Sequence, residues 1–222
     1  MRYLDLLTAL FPTVLLVSNV ASTKLVVLGP FTFDGGTLLF PLAYIFGDVL
    51  TEVYGYRKSR RVIWIGFFAL LLATLTFQAV AHLPAPPDAE SQRFGEAFGL
   101  LLGLTPRIVL GSLLAYFLGE FANAYVLAKL KVRTAGRFCW LRALASTLVG
   151  QGLDTGVFLL VAFYGVFPKE VLLAVFLSNY AFKLGVEALM LPFTYAVVGF
   201  LKRAEGMDAY DRDTDFNPFR LT

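Results

Sequence analysis

The amino-acid sequence predicts an all-α integral membrane protein, a bundle of six transmembrane helices with both termini in the cytoplasm. Three observations predict it. The first is composition: 58% of the 222 residues are hydrophobic and only 16% are charged, with a mean hydropathy of +0.70. Soluble domains usually run near 45–50% apolar and about 25% charged, so this chain has too little polar surface to cover a water-facing globule. The second is the distribution of charge. No Asp, Glu, Lys or Arg falls in 62–87, 108–119, 155–168, 171–182 or 188–201, and roughly 20 apolar residues span a bilayer core. The third is basic asymmetry. Thirteen Lys and Arg residues lie in the N-terminus and in the segments after the second, fourth and sixth spans, against Arg93 and Lys169 in the three opposite connections. Cytoplasmic loops carry that excess.

Taken in order, the first span is predicted over Leu4–Leu28, followed by a turn at Gly29–Thr37 containing Pro30 and Gly35-Gly36. The second, Leu38–Tyr54, is short and carries Asp48 and Glu52. A basic connection with Arg57, Lys58, Arg60 and Arg61 leads to the third span, Val62–His82. The polar connection Leu83–Thr105 holds prolines at 84, 86 and 87. Its apolar half, Phe94–Leu104, reads as a short interfacial or re-entrant helix. The fourth span covers Pro106–Leu127, with proline suited to a first helical turn. A second basic connection, Lys129–Arg137, precedes the fifth span at Leu141–Phe163. The sixth, Val171–Leu201, is long enough to tilt or to kink at Pro192. Residues 1–203 thus form one transmembrane domain, and 204–222 a polar, Asp-rich cytoplasmic tail.

Several chemistries are excluded. The single Cys139 and single His82 allow no internal disulfide and no Cys- or His-built metal site. A start with one basic residue followed by Asp5, with no clear small-residue cleavage site after it, reads as the first span rather than as a secretory signal. GxxxxGK[ST], HExxH and GxSxG patterns are absent. No enzyme activity, cofactor or metal is expected. Trp64 and Trp140 flank the basic connections and read as cytoplasmic belt residues, while His82 reads as an interfacial residue at the opposite end.

Ionisable residues inside the spans are costly in hydrocarbon and mark a polar task. They are Lys24, Asp48, Glu52, Arg107, Glu120, Arg142, Asp154, Lys183 and Glu187. Asp48 and Glu52, four apart, share one helical face. Lys183 and Glu187 are also four apart and able to neutralise each other. Thr147, Gln151 and Asp154 form one polar stripe in the fifth span; Ser178, Asn179, Lys183 and Glu187 form another in the sixth. These stripes predict a polar solute site between spans five and six, closed by spans one and two.

Family resemblance rests on motifs that recur in order along nearly the whole chain. They are Ser18-Asn19 with Lys24, Gly47-Asp48-Val49-Leu50-Thr51-Glu52-Val53-Tyr54-Gly55-Tyr56 running into Arg60-Arg61 and Trp64, and Pro106-Arg107 with Ser112 and Tyr116. Lys129-Leu130-Lys131, Trp140-Leu141-Arg142, Ser146-Thr147, Gly150-Gln151, Asp154-Thr155 with Phe158, and Phe216-Asn217-Pro218-Phe219 follow. With them the chain resembles the bacterial queuosine precursor transporters, a family earlier described as a vitamin-uptake group and similar to the substrate-binding subunits of energy-coupling vitamin importers. In that family the position of Glu120 is commonly a polar residue or Gln.

The resemblance implies inner-membrane import of 7-cyano- and 7-aminomethyl-7-deazaguanine for tRNA queuosine salvage by a single-component secondary carrier. The alternative it leaves open is the substrate-binding subunit of an energised vitamin or nucleobase importer. The implied partners are the deazaguanine and the lipid bilayer, with no direct nucleic acid; a homo-oligomer is compatible. A flat deazaguanine offers adjacent N–H donors, for which carboxylates are suited acceptors, and a face for aromatic stacking. The expected substrate-binding residues are accordingly Asn19, Gln151, Asp154, Phe158, Asn179, Lys183 and Glu187, with Asp154 or Glu187 on the N–H edge. Lys24, Asp48, Glu52, Arg107 and Arg142 are expected to serve coupling or gating, Asp48 and Glu52 either by changing ionisation or by bracing an inner gate against Arg57–Arg61.

Overall fold

A computed structural model describes residues 2–28, 31–104 and 106–220. Its helices are α1 (Arg2–Ala21), α2 (Phe40–Tyr54), α3 (Tyr56–Ala81), α4 (Ala89–Leu102), α5 (Pro106–Arg133), α6 (Cys139–Phe163) and α7 (Lys169–Glu205). Five of them, α1, α3, α5, α6 and α7, are long and apolar enough to cross a membrane. Large apolar side chains lie on the outside, among them Leu72 at 69% and Leu189 at 78% exposure. Such a surface suits lipid, where helices satisfy their own backbone groups.

The first expected span ends early. α1 stops at Ala21, and Leu25–Leu28 (β1) pairs antiparallel with Phe31–Asp34 (β2), Leu25 opposite Asp34 and Leu28 opposite Phe31. Ser22 and Thr23 turn their hydroxyls onto the carbonyls of Ser18 and Val20, a local competition that frays helix ends. The β-branched Val26-Val27 that follows suits an extended strand. The turn expected at Gly29-Pro30 lies outside the described residues. The chain then makes one 3-10 turn, Gly35–Leu38, held to α1 where the Ser18 hydroxyl donates to Gly36 O (3.2 Å). α2 begins only after it. With 15 residues, α2 is roughly 22 Å long, short of a hydrocarbon core of about 30 Å.

The polar connection forms its helix earlier than the apolar pattern suggests. Asp88 caps α4 by accepting from Ser91 N (2.8 Å), a common N-cap arrangement. That backbone N–H holds the Asp88 carboxyl below the usual Asp range. None of α4 is buried.

Contacts between helix ends fix their directions. Tyr3 N donates to Glu205 Oε1 (2.7 Å), bringing the start of α1 to the end of α7. Arg107, at the start of α5, donates to Val161 O and Tyr164 O at the end of α6. The N-terminus, the α2–α3 turn, the α5–α6 turn and the C-terminal segment therefore gather at one end, here called the basic end. The hairpin, α4 and the α6–α7 turn lie at the other. Packing is tightest toward the basic end: the buried residues of α3 fall between Tyr56 and Leu70, those of α7 between Glu187 and Leu201.

α5 and α6 pack along their lengths through small residues. A Cβ on Gly119 would lie 2.8 Å from Asp154 Cβ and 3.0 Å from Gly150 O; one on Gly150 would lie 2.8 Å from Asn123 Cβ. Close backbone approach of this kind drives helix association in lipid, where apolar burial gives little.

The C-terminal segment, expected as a polar tail, is a docked strap. Asp211 Oδ2 accepts from Tyr56 N (2.9 Å), and Arg60 Nη1 donates to Asp215 O (2.9 Å) and Asn217 O (2.6 Å). Trp64 Nε1 donates to Pro218 O (2.8 Å). Phe216 packs on Tyr56 with Lys129 over its ring, and Phe219 packs against Trp64 and Phe117. Acids and aromatics of this segment make different contacts: the Asp211 carboxylate meets the Tyr56 N–H, that of Asp215 pairs with Arg220 within the segment, and Phe216 and Phe219 pack on the bundle.

Two outcomes follow. Gly119→Val should lower the thermal stability of the detergent-purified protein by about 1–3 kcal/mol, whereas Gly185→Val, with nothing within 4 Å of an added Cβ, should leave it within about 0.5 kcal/mol. Arg60→Ala should raise the rate of tryptic cleavage at Arg212 by about tenfold or more, since charged hydrogen bonds contribute about 1.5–3 kcal/mol; an unchanged rate would show that the strap does not depend on Arg60.

Candidate functional site

Two polar clusters sit one helical turn apart on α2, and they divide the carboxylates that share its face. Among the described residues Asp48 and Glu52 share no hydrogen-bond or ion-pair partner. Asp48 faces α5 and α7 in the middle of the bundle, whereas Glu52 faces basic side chains at the basic end.

The central cluster surrounds a cavity of about 10 Å³ lined by Ala43, Tyr44, Gly47, Asp48, Gly119, Glu120, Asn123, Thr147 and Gln151. That is about one water's worth of space. Asn123 Nδ2 donates to Asp48 Oδ1 (3.3 Å), and the Tyr44 hydroxyl to Gln151 Oε1 (3.4 Å). Glu187, 2% exposed, lies close to the equally buried Asp48. Asp48 Oδ2 and Asn123 Oδ1 are buried without a donor. Leaving a buried acceptor unpaired costs about 1–3 kcal/mol, and such atoms concentrate at functional sites. On the α7 side Lys183 Nζ pairs with Asp154 Oδ2 at 2.8 Å and reaches Thr155 Oγ1 at 3.4 Å. Lys183 is therefore matched with Asp154 across the α6–α7 interface. The pairing with Glu187 that its i, i+4 spacing allows is not the one formed.

The second cluster closes the basic end. Glu52 Oε1 accepts from Arg142 Nη2 (3.0 Å) and Lys202 Nζ (2.8 Å), with Lys131 Nζ at 3.6 Å. Lys131 also donates to Glu52 O, Asp208 and Ala209 O, and Lys202 pairs with Asp208 at 2.9 Å. Glu52, Lys131 and Arg142 are at most 2% exposed. One carboxylate thus ties α2 to α5, α6 and α7, and Asp208 carries the tie into the strap. Buried charges persist only when paired, so each member of the cluster depends on the others, and Glu52 Oε2 and Arg142 Nε and Nη1 are left without a partner among the described residues. Burial raises Asp208, but the Lys131 and Lys202 ammoniums outweigh it and hold the carboxyl below the usual Asp range.

The remaining expected residues lie apart from both clusters. Asn19 and Lys24 are exposed at the far end of α1, and Asn179 is exposed on α7. Phe158 packs edge-on against Phe163 toward the far end. Arg107 clamps α6 there, distant from Arg142. The centre is therefore formed by α2, α5, α6 and α7, with α1 outside it. Sequence spacing passed over Tyr44 and Asn123, and it took Lys131, Lys202 and Asp208 for loop or tail. Asn123 had a visible signal, three residues after Glu120 on an otherwise apolar helix. Among the described residues no group of three or more His, Cys, Asp or Glu side chains could hold a metal ion.

Comparison with known proteins agrees with a membrane carrier. The family profile described as "Putative vitamin uptake transporter" matches residues 34–197. The chain is 35% identical to the probable queuosine precursor transporter of Bacillus subtilis (strain 168) over 81% of its own length and 77% of the relative's. It is 27% identical to the queuosine precursor transporter of Escherichia coli (strain K12), over 73% of this chain and 71% of that one. A third relative, from Haemophilus influenzae, is 26% identical over 73% of this chain and 67% of that one, and is named as a probable queuosine precursor transporter. No solved structure matches the chain. The chain is a multi-pass membrane protein and belongs to the queuosine precursor transporter family.

Proposed function

We propose that the protein imports queuosine precursors, 7-cyano- and 7-aminomethyl-7-deazaguanine, across the bacterial inner membrane as a single-component secondary carrier. The observation that carries this reading is a buried, acceptor-rich cavity at the centre of an apolar bundle whose relatives bear that transporter name. Six crossings are assigned to α1, α2, α3, α5, α6 and α7, with α2 completed by the 3-10 turn and the hairpin. Counting Lys and Arg puts the basic end, and both termini, in the cytoplasm.

In this reading the Glu52 cluster is the inner gate and the central cluster is the substrate site, with Gln151, Asp154, Lys183 and Glu187 around it. Asp48 belongs to the site rather than to the gate. The basic end is sealed by paired charge and tight packing, and a cavity of about 10 Å³ is too small for a bicyclic base. Transport therefore requires α2 to separate from α5 and α6 in two alternating ways. It admits the base from the outer side first, then releases Glu52 from Arg142, Lys131 and Lys202 to open the inner side. Hydrogen bonds to the base offset the cost of its unpaired acceptors, so binding favours the states in which the cavity is open.

Two measurements check this. Vesicles reconstituted with the purified protein alone should take up 7-cyano-7-deazaguanine saturably. Binding without uptake would favour the energised-importer alternative, and no binding would end the reading. The gate should also respond to acid. Because Asp208 is depressed in the fold, its stabilisation is complete above the ordinary Asp range and is lost as pH falls through its lowered value. Hydrogen exchange of the strap amides, corrected for its intrinsic pH dependence, should accelerate over that acid range in the parent, and Asp208→Asn should show the fast corrected rate already at neutral pH.

A further inference from the structure

We propose that Asp48 and Asn123 form the acceptor pair that reads the N–H edge of the substrate base, and that the site takes the free base and rejects its phosphorylated nucleotide. This rests on the transport reading above and changes the residues assigned to recognition. The family resemblance gives that edge to Asp154 or Glu187. In the structure Asp154 is already matched by Lys183 at 2.8 Å, and neither Asp154 nor Glu187 lines the cavity. The cavity-lining atoms left without donors are Asp48 Oδ2 and Asn123 Oδ1; the other such acceptor among the described residues, Glu52 Oε2, lies in the charge cluster at the basic end.

Asn123 is oriented by its partner. Its amide nitrogen donates to Asp48 Oδ1 (3.3 Å), so its oxygen is turned elsewhere, and a flipped amide would set two acceptors against each other. The two orphan oxygens come from α2 and α5, on side chains joined by that hydrogen bond, and both residues line the cavity. Gly47, one residue before Asp48, lines it too, so the α2 wall lacks a side chain there. An added Cβ at Gly47 would come within 3.4 Å of Glu120 Oε2 and 3.8 Å of Asn123 Nδ2. A planar ring with two donors on one edge matches a site with one bare wall and two acceptors. An aminopyrimidinone edge carries that pair of donors, the ring N–H and the 2-amino group.

Charge sets the second half of the proposal. The carboxyl groups facing the cavity and its surroundings are Asp48 on α2, Glu120 on α5, Asp154 on α6 and Glu187 on α7, all near enough to act on Asp48 or Tyr44. Lys183 is the cation of this group, and it is paired with Asp154. Lys131 and Lys202 are held by Glu52 and Asp208 at the basic end, and Arg142 by Glu52 through Nη2, its Nε and Nη1 lying buried there without an acceptor among the described residues. A phosphate in the cavity would meet four carboxyl groups with their neighbouring cation, Lys183, already paired, so the occupant is donor-rich and not anionic.

The test is binding of four ligands to the full-length purified protein: 7-cyano-7-deazaguanine, its analogue lacking the 2-amino group, 7-deazaguanine, and 7-deazaguanosine 5′-monophosphate. In the parent, loss of the 2-amino group should weaken binding by about tenfold or more, and the nucleotide should show no binding. In Asp48→Asn and in Asn123→Ser the preference for the 2-amino ligand should collapse to within about twofold, while Asp154→Asn should keep it. A parent that binds the deazaguanine without regard to the 2-amino group overturns the pair, whatever the variants do. So does a preference that survives in both Asp48→Asn and Asn123→Ser, or one lost only in Asp154→Asn. Tight binding of the nucleotide overturns the charge argument. Binding that appears only with Na⁺, with the Na⁺ requirement removed by Asp48→Asn, would make the oxygens a cation site and also overturn it. Failure of the parent to bind any deazaguanine strikes the transport reading itself, so the two failures are distinguishable.

Discussion

Glu52 is the residue on which the arrangement depends. Its buried carboxylate is met by Arg142 and Lys202 at 3.0 and 2.8 Å, with Lys131 at 3.6 Å, and these four residues come from four different helices. A charge buried in this way is held only while its partners stay in place, because removing one leaves the others unpaired in a low dielectric. The cluster therefore behaves as a two-state tie, closed when all partners are assembled and costly when half open. A gate needs that property. The strap adds to it through Asp208, and through it the C-terminal residues become part of the closure.

Above that tie the bundle is held by close backbone approach rather than by large side chains. The Gly119 and Gly150 seam brings α5 and α6 together and so fixes the distance between Asn123 and Gln151 across the cavity. α2 then supplies Asp48 against this rigid pair. Seen this way, the shortness of α2 has a use. A helix of 15 residues is held at one end by Glu52 and at the other by a 3-10 turn on α1, so in the proposed cycle release of Glu52 would leave it tied mainly at its outer end. The small cavity and its two donorless oxygens are what its movement would expose to a substrate.

Much of this was legible in the sequence, and the reasons differ by element. Helices α3, α5, α6 and α7 follow from long charge-free runs, and the position of α4 was half seen because its apolar half is evident and its Asp88 cap is not. The hairpin was missed because Leu25–Leu28 is as apolar as a helix end, and hydrophobicity alone does not separate the two. Site residues were legible as types but not as partners. Asp48 and Glu52 share a face, yet what each meets depends on other helices, so one lies at the cavity and the other in the charge cluster at the basic end. The i, i+4 rule suggested Lys183 with Glu187; interhelical packing gave Lys183 to Asp154 instead. Lys131 was counted as a loop charge because it lies in the last turn of a helix whose end the hydropathy pattern does not mark.

The most direct measurement is the reactivity of a cysteine placed in the cavity toward a membrane-impermeant thiol reagent on the cytoplasmic side. Thr147 lines the cavity and is buried, so Thr147→Cys in a Cys139→Ser background provides the probe. If Glu52 closes the inner end, labelling should be slow in that protein and should rise by about tenfold or more when Glu52→Gln is added, one lost charged partner being worth that factor. Equal and rapid labelling with Glu52 intact would mean that the basic end is open to the cytoplasm, and that the charge cluster is not a gate.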